Sequence, residues 1–182
     1  MKKKFFFLLI LILSSKTLAT EKDNVIENFK NIQNLTFNFE QNINGKIENG
    51  ICTIEYPKKI LCNYDSKDKK ILVSNGRSLV IKTLNSYYIY PVEKTTLNLI
   101  LNKKFIVEKI QNSEERIINN KYINFNFSEN GNQMNIFFDK KTYNLIGWQT
   151  LDVFQNLSIT YLNSIIKNKK LEEDFFKLPL RE

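Results

Sequence analysis

Two cysteines, Cys52 and Cys62, are the only thiols in this 182-residue chain, and they stand at equal distances on either side of Pro57 in ICTIEYPKKILCNY. Such a pair is a redox couple, part of a metal site or a structural staple. The spacing is not the C-x-x-C of a redox motif. A zinc site needs further Cys or His ligands, and the chain contains no histidine. That absence also removes Ser-His and Cys-His nucleophile pairs. The five glycines are isolated, so no glycine-rich phosphate loop exists. Carboxylates remain: Glu114 beside Glu115, and Glu172, Glu173 and Asp174. Paired carboxylates can do acid–base hydrolysis, but these stand in polar, turn-like or terminal stretches and read as solvated faces. The residues therefore point to no enzyme, no cofactor and no metal.

The compartment decides how the cysteines are read. MKKKFFFLLILILSSKTLA begins with Lys2, Lys3 and Lys4, continues as an apolar run from Phe5 to Leu13 and leaves through small residues to Ala19. This is the order of a secretory signal peptide, so residues 1–19 are expected to be a leader cleaved after Ala19. The run is too short for a membrane span of about 20 residues. Exported thiols tend to be oxidised in pairs, and an even count fits one internal bridge. Residues 20–182 are then one exported domain of 163 residues with 23 basic and 19 acidic side chains, a balance of +4. The lysines are scattered and form no dense basic stripe, which argues against nucleic acid. Asn34-Leu35-Thr36 and Asn156-Leu157-Ser158 match a glycosylation pattern, but the Lys-rich leader has bacterial character.

The elements that must position these residues follow from periodicity. Val25, Ile26, Phe29 and Ile32 recur at helical spacing, behind Asn24 with Glu27 three residues on as a cap. After this the period falls to two. Leu35, Phe37 and Phe39 alternate with polar residues, as do Ile123, Phe125 and Phe127, and Leu157, Ile159 and Tyr161 against Ser158 and Thr160. Each reads as a one-faced antiparallel strand. Turn signals recur at roughly 8 to 12 residues: Asn44-Gly45, Asn49-Gly50, Pro57-Lys58, Asn75-Gly76, Asn85-Ser86 and Asn130-Gly131. Asn75-Gly76 suits a type I′ hairpin. In TTLNLILN, Leu97, Ile100 and Leu101 share a helical face behind Thr95 or Thr96. The sum is a mainly β chain of about ten or eleven strands in one sheet, with two short helices. A long one-faced sheet curls around its apolar side, and the interior is either filled or hollow.

Several motifs, in order, resemble the periplasmic outer-membrane lipoprotein carriers of the LolA family: FEQ at 39–41, Gly50 leading to Pro57, ILVSNGRSLVI at 71–81, TTLNLIL at 95–101 and DFFKLP at 174–179. The resemblance implies an incomplete antiparallel β-barrel with short lid helices over a hydrophobic cavity. It implies a non-enzymatic, monomeric carrier in the periplasm of a Gram-negative bacterium. Its partners would be acylated lipoproteins, an inner-membrane ABC-type releasing complex, and an outer-membrane acceptor or the outer membrane itself. Phe37, Phe39, Gln41, Ile54 and Ile60 would line the cavity, with Val25, Phe29, Ile32, Leu97, Ile100 and Leu101 as lid. Two positions depart from the family: Tyr56 stands where an Arg normally reaches across to the lid backbone, and Thr96 where Pro is usual. A three-residue loop of Tyr56, Pro57 and Lys58 would set Cys52 opposite Cys62 as a cross-strand disulfide, which the comparison puts on the cavity side. Alternatives are a periplasmic binding or signalling protein for another lipid or glycolipid, a structural envelope protein with a filled core, and a carboxylate-based hydrolase.

Overall fold

In the computed structural model, which describes residues 19–129, 131–151 and 156–181, the first helix starts earlier than its periodicity suggests. Helix α1 spans Glu21–Lys30, and its cap is Thr20, not Asn24. The Thr20 side chain accepts from the Asp23 backbone N–H while the Asp23 carboxylate accepts from the Thr20 backbone, a capping box that satisfies two otherwise orphaned donors. The cap thus lies one turn upstream, against the expected cleavage site. The expected leader, residues 1–18, and Asn130 of the Asn130-Gly131 turn lie outside the described residues.

The remaining elements are mostly strands. They are β1 (Asn34–Ile43), β2 (Lys46–Glu55), β3 (Lys59–Tyr64), β4 (Ile71–Asn75), β5 (Ser78–Lys82), β6 (Tyr87–Pro91), β7 (Arg116–Ile118), β8 (Tyr122–Glu129), β9 (Asn132–Asp139), β10 (Leu145–Leu151) and β11 (Leu157–Lys167). All join one antiparallel sheet in the order β6-β5-β4-β3-β2-β1-β11-β10-β9-β8-β7. The two end strands do not meet, so the sheet curls into an incomplete barrel. Between β6 and β7 come α2 (Leu97–Leu101) and α3 (Lys103–Asn112). Periodicity alone implies only two helices. Helix α3 carries a usable signal: Asn102 caps it by accepting from Phe105 N–H, and Ile106, Val107 and Ile110 form its buried face.

Period two puts Leu35, Phe37 and Phe39 of β1 and Ile123, Phe125 and Phe127 of β8 inside, where they pack against the buried faces of all three helices. Two turn readings are corrected. Asn49-Gly50 is no turn but the middle of β2, where Gly50 allows close approach: an added Cβ would meet the carbonyl of Asn63 and, at 2.9 Å, the Phe39 ring. At the β4–β5 hairpin Gly76 has φ +96° and Arg77 is not left-handed, so Gly76 is the first central residue and the turn needs one positive φ, as in type II′, instead of the two of type I′.

The outer face of the sheet differs between its halves. Over β2–β5, Thr53, Leu61, Val73 and Val80 align on one outward row. The C-terminal segment crosses this half. Phe176 is buried there with Lys59 Nζ 5.7 Å from its ring centroid, and Tyr87 and Lys82 donate to the Pro179 and Leu180 carbonyls. Among the described residues the outer side of β8–β11 has no such cover.

Candidate functional site

The β2–β3 hairpin holds the first group of expected site residues. Pairing of Glu55 with Lys59 leaves Tyr56, Pro57 and Lys58 as the loop and sets Cys52 opposite Cys62. The sulfurs are bonded, with the Cα atoms 4.1 Å apart, the close spacing of a non-hydrogen-bonded pair. Both cysteines face inward beside Ile54 and Ile60. The loop itself ties down the lid by its backbone: Lys58 N–H donates to the Leu101 carbonyl at the end of α2, and Tyr56 N–H to the Gln33 carbonyl after α1.

The Tyr56 side chain does not perform the reach that an Arg would. Its hydroxyl is buried with no hydrogen-bond partner among the described residues, and burial pushes its pKa well up. The ring packs edge-on against Phe29 at 5.7 Å. The cation at this point comes from α3 instead. Lys103 Nζ donates to the carbonyls of Lys30 (3.0 Å) and Ile32 (2.7 Å) at the C-terminal end of α1, and lies 5.7 Å from the Tyr56 ring centroid. Burial pushes the Lys103 pKa down.

At this end the interior is filled. Val25, Phe29, Ile32, Ile54, Ile60 and Leu101 are each at most 2% exposed, and Phe37 and Phe39 follow along β1. These expected cavity residues are packed core in this conformation. Aromatic edge contacts run from Phe29 to Phe138 and on to Phe125.

At the opposite ends of the strands a cavity of about 220 Å³ remains. Leu97 and Ile100 of α2 cover it, and of the expected lining residues only these two and Gln41 border it. The rest of its wall was not legible: Leu72 and Ile81 on one side, Met134 and Trp148 on the other, with Tyr64, Lys70, Thr150 and Ser158 around them. Ser158 comes from an inverted strand. Ser158 and Thr160 of β11 are buried at 6% and 3%, while Leu157 and Tyr161 stand about half exposed, the reverse of the alternation expected from the sequence. The cause is register. Gln41 of β1 faces inward opposite Thr160, and its amide donates to the hydroxyls of Ser158 and Thr160, both at 3.3 Å.

Charge sits at the same end. Glu48, opposite Gln41 on β2, accepts from Lys46 (2.8 Å) and Lys70 (2.6 Å). Burial pushes the Glu48 carboxyl up, but the hydrogen bonds and charges of the two lysines outweigh it and hold the group below its ordinary value. Lys70 Nζ also lies 4.0 Å from the Tyr64 ring centroid, and Tyr64 stacks edge-on against Phe39. Burial, with the charge of Glu48, pushes the Tyr64 phenol up.

A larger hollow, about 440 Å³, lies on the outer face around Gly147, between Tyr122, Phe137 and Tyr161. Its walls are one face of β7–β11 with nothing opposed among the described residues, so an apolar chain there would keep one side in water. The interior cavity, with sheet on one side and α2 on the other, is the better site. Glu114, Glu115, Glu172, Glu173 and Asp174 are all exposed or half-buried at the surface and border neither hollow. No cluster of three metal-ligating side chains occurs among the described residues.

The family model for the outer membrane lipoprotein carrier protein LolA matches residues 21–179. Solved structures share the fold at low identity. An uncharacterized conserved protein from Thermus thermophilus is 8% identical, with 89% of this chain and 94% of that one covered and a TM-score of 0.53. MucB is 9% identical over 88% of this chain and 62% of its own, with a TM-score of 0.51, so this chain spans less than two thirds of it. A LolA superfamily protein from Nitrosomonas europaea is 7% identical over 88% and 99%, with a TM-score of 0.45. No curated protein matches the chain by sequence.

Proposed function

This chain belongs to the LolA family of outer membrane lipoprotein carrier proteins, and from that premise we propose that it is a non-enzymatic periplasmic carrier. It takes the acyl chains of lipoproteins released from the inner membrane by an ABC-type complex and delivers them to an acceptor at the outer membrane. The observation that carries this reading is the largely apolar cavity between the concave sheet and α2. Acyl chains need such shelter, because each methylene exposed to water costs about 0.8 kcal/mol.

At about 220 Å³ the cavity is the closed form of the site. Pockets for drug-sized ligands run to roughly 300–1,000 Å³, and several acyl chains need α2 to move away. The helix is built for that. It has five residues, its Thr96 cap makes no side-chain hydrogen bond, and one backbone bond from Lys58 holds its far end. A partner that competes for this short helix opens the cavity, and closure favours release.

Expression with its leader in a Gram-negative host, purification from the periplasm and mass spectrometry of what co-purifies test the proposal. Acylated lipoprotein bound one to one, and its transfer to acceptor membranes, is the expected result. Free lipid alone would replace the carrier by a lipid-binding or signalling protein. An empty protein that accepts no acyl chain would end both readings.

A further inference from the structure

The rim of the interior cavity carries a charge of one sign. Among the described residues that line it, Lys70 is the only charged one. Its partner Glu48 lies behind it with both carboxylate oxygens committed, Oε1 to Lys46 and Oε2 to Lys70. Lys46 is well exposed and also feels the charge of Asp68, whereas Lys70 is only 22% exposed and turns to the cavity. The other polar groups on the wall reinforce this sign. The Ser158 hydroxyl accepts from Gln41, which leaves its own O–H free to donate, and Thr96 and Thr150 add two more hydroxyls. Between these groups the wall is apolar, with Leu72, Leu97, Ile100 and Met134.

One ammonium on an otherwise uncharged wall of aliphatic groups and hydroxyls matches an anionic head on an acyl chain. We propose that Lys70 is the seat of an anionic headgroup, and that the closed protein binds a single-chain amphiphile ending in a carboxylate or phosphate. The inference rests on the reading that the cavity accepts acyl chains. It goes beyond it because an N-acylated lipoprotein terminus offers no charge of its own near its chains. The volume suits part of one chain, not three.

Trp148 is the single tryptophan and borders the cavity, so its quenching by brominated chains reads binding directly. The probes are brominated palmitate, brominated lysophosphatidylglycerol and an uncharged brominated monoacylglycerol, titrated into the purified protein at low ionic strength. The anionic chains should bind about tenfold tighter than the uncharged one, the range of a hydrogen bond to a charged group. Lys70→Gln should remove that preference, and Glu48→Gln, which frees Lys70, should increase it. Because Trp148 also borders the outer hollow, the response to these two variants, not quenching itself, locates the chain. A preference for only one of the anionic probes keeps the seat and names its head as carboxylate or phosphate. Equal affinity for all three probes, or a preference that survives in both folded variants, overturns the seat and leaves the carrier reading standing. Absence of quenching by every probe overturns the seat as well, and the carrier reading then stands or falls by the co-purification test.

Discussion

The two ends of the concave interior are closed by different chemistry on the same strands. At the hairpin end, Phe29, Ile54, Ile60 and Leu101 are buried and interlocked with Tyr56 and Phe138. At the other end β1 and β2 carry Gln41 and Glu48 on the same inward rows, and β11 turns Ser158 and Thr160 toward them. One end maximises contact; the other exchanges contact for hydrogen bonds, a charge and about 220 Å³ of space. In a curled sheet one face therefore serves as core for part of its length and as site for the rest. Breaks in the apolar pattern mark the site, as expected where function overrides packing.

The largest test of this division is Phe29→Ala. A fully buried Phe truncated in a filled region costs about 3–5 kcal/mol, read as a lowered urea midpoint, while Trp148 emission at the other end stays unchanged in the folded protein. A loss below about 1 kcal/mol would mean that the hairpin end is not packed as described. Next in size is the staple between the two ends. Closing the short Cys52–Cys62 loop contributes about 2–3 kcal/mol through the entropy of the unfolded chain. The Cys52→Ser, Cys62→Ser double variant should lose that amount and become indifferent to dithiothreitol, whereas reductant should bring the wild type to the same midpoint.

The filled end was the legible one. Alternation through Leu35, Phe37 and Phe39 fixes which side of β1 faces inward, and the symmetry of Cys52 and Cys62 about Pro57 fixes the hairpin register. Local signals suffice because the neighbours are close in sequence. The α3 signal is equally local, in Asn102 and the Ile106, Val107, Ile110 face, but it is easily lost among the strands around it. At the cavity end local signals reached only Leu97 and Ile100 of α2 and Gln41 of β1. Read alone, LSITY places Leu157 and Tyr161 inside, and only pairing with Gln41, 117 and 119 residues away from Ser158 and Thr160, turns the strand over. Lys70 likewise becomes a site residue only through Glu48, on the far side of β3.

Two variants then sharpen how the filled end is closed without the expected Arg. Lys103 caps the carbonyl end of α1, and Lys103→Met should cost about 1–2 kcal/mol, since a cation there also complements the helix dipole. Tyr56→Phe should go the other way. A buried hydroxyl without a partner costs about 1–3 kcal/mol, so its removal should leave stability unchanged or raise it by about 1 kcal/mol. Destabilisation on this substitution would show that the phenol does hold the lid, and would restore to Tyr56 the part expected of the Arg.

The smallest effect belongs to the charged rim, and it separates the two ends by pH. Glu48 has its folded pKa lowered, because Lys46 and Lys70 outweigh the opposing effect of burial. A lowered carboxyl pKa stabilises the fold above the ordinary carboxylate range, and that contribution disappears as pH falls through the folded value. Lys46 is 76% exposed, so solvent screens its share, and the cluster contributes about 0–1 kcal/mol. Urea unfolding of wild type and Glu48→Gln at neutral pH should differ by this amount, and the difference should shrink as the pH falls below the ordinary carboxylate range. Phe29→Ala, which touches no titrating carboxylate, should keep its full cost across the same range. A Glu48→Gln difference that is flat with pH would mean that the carboxylate is not coupled to its lysines, and the charge at the cavity would then need another source.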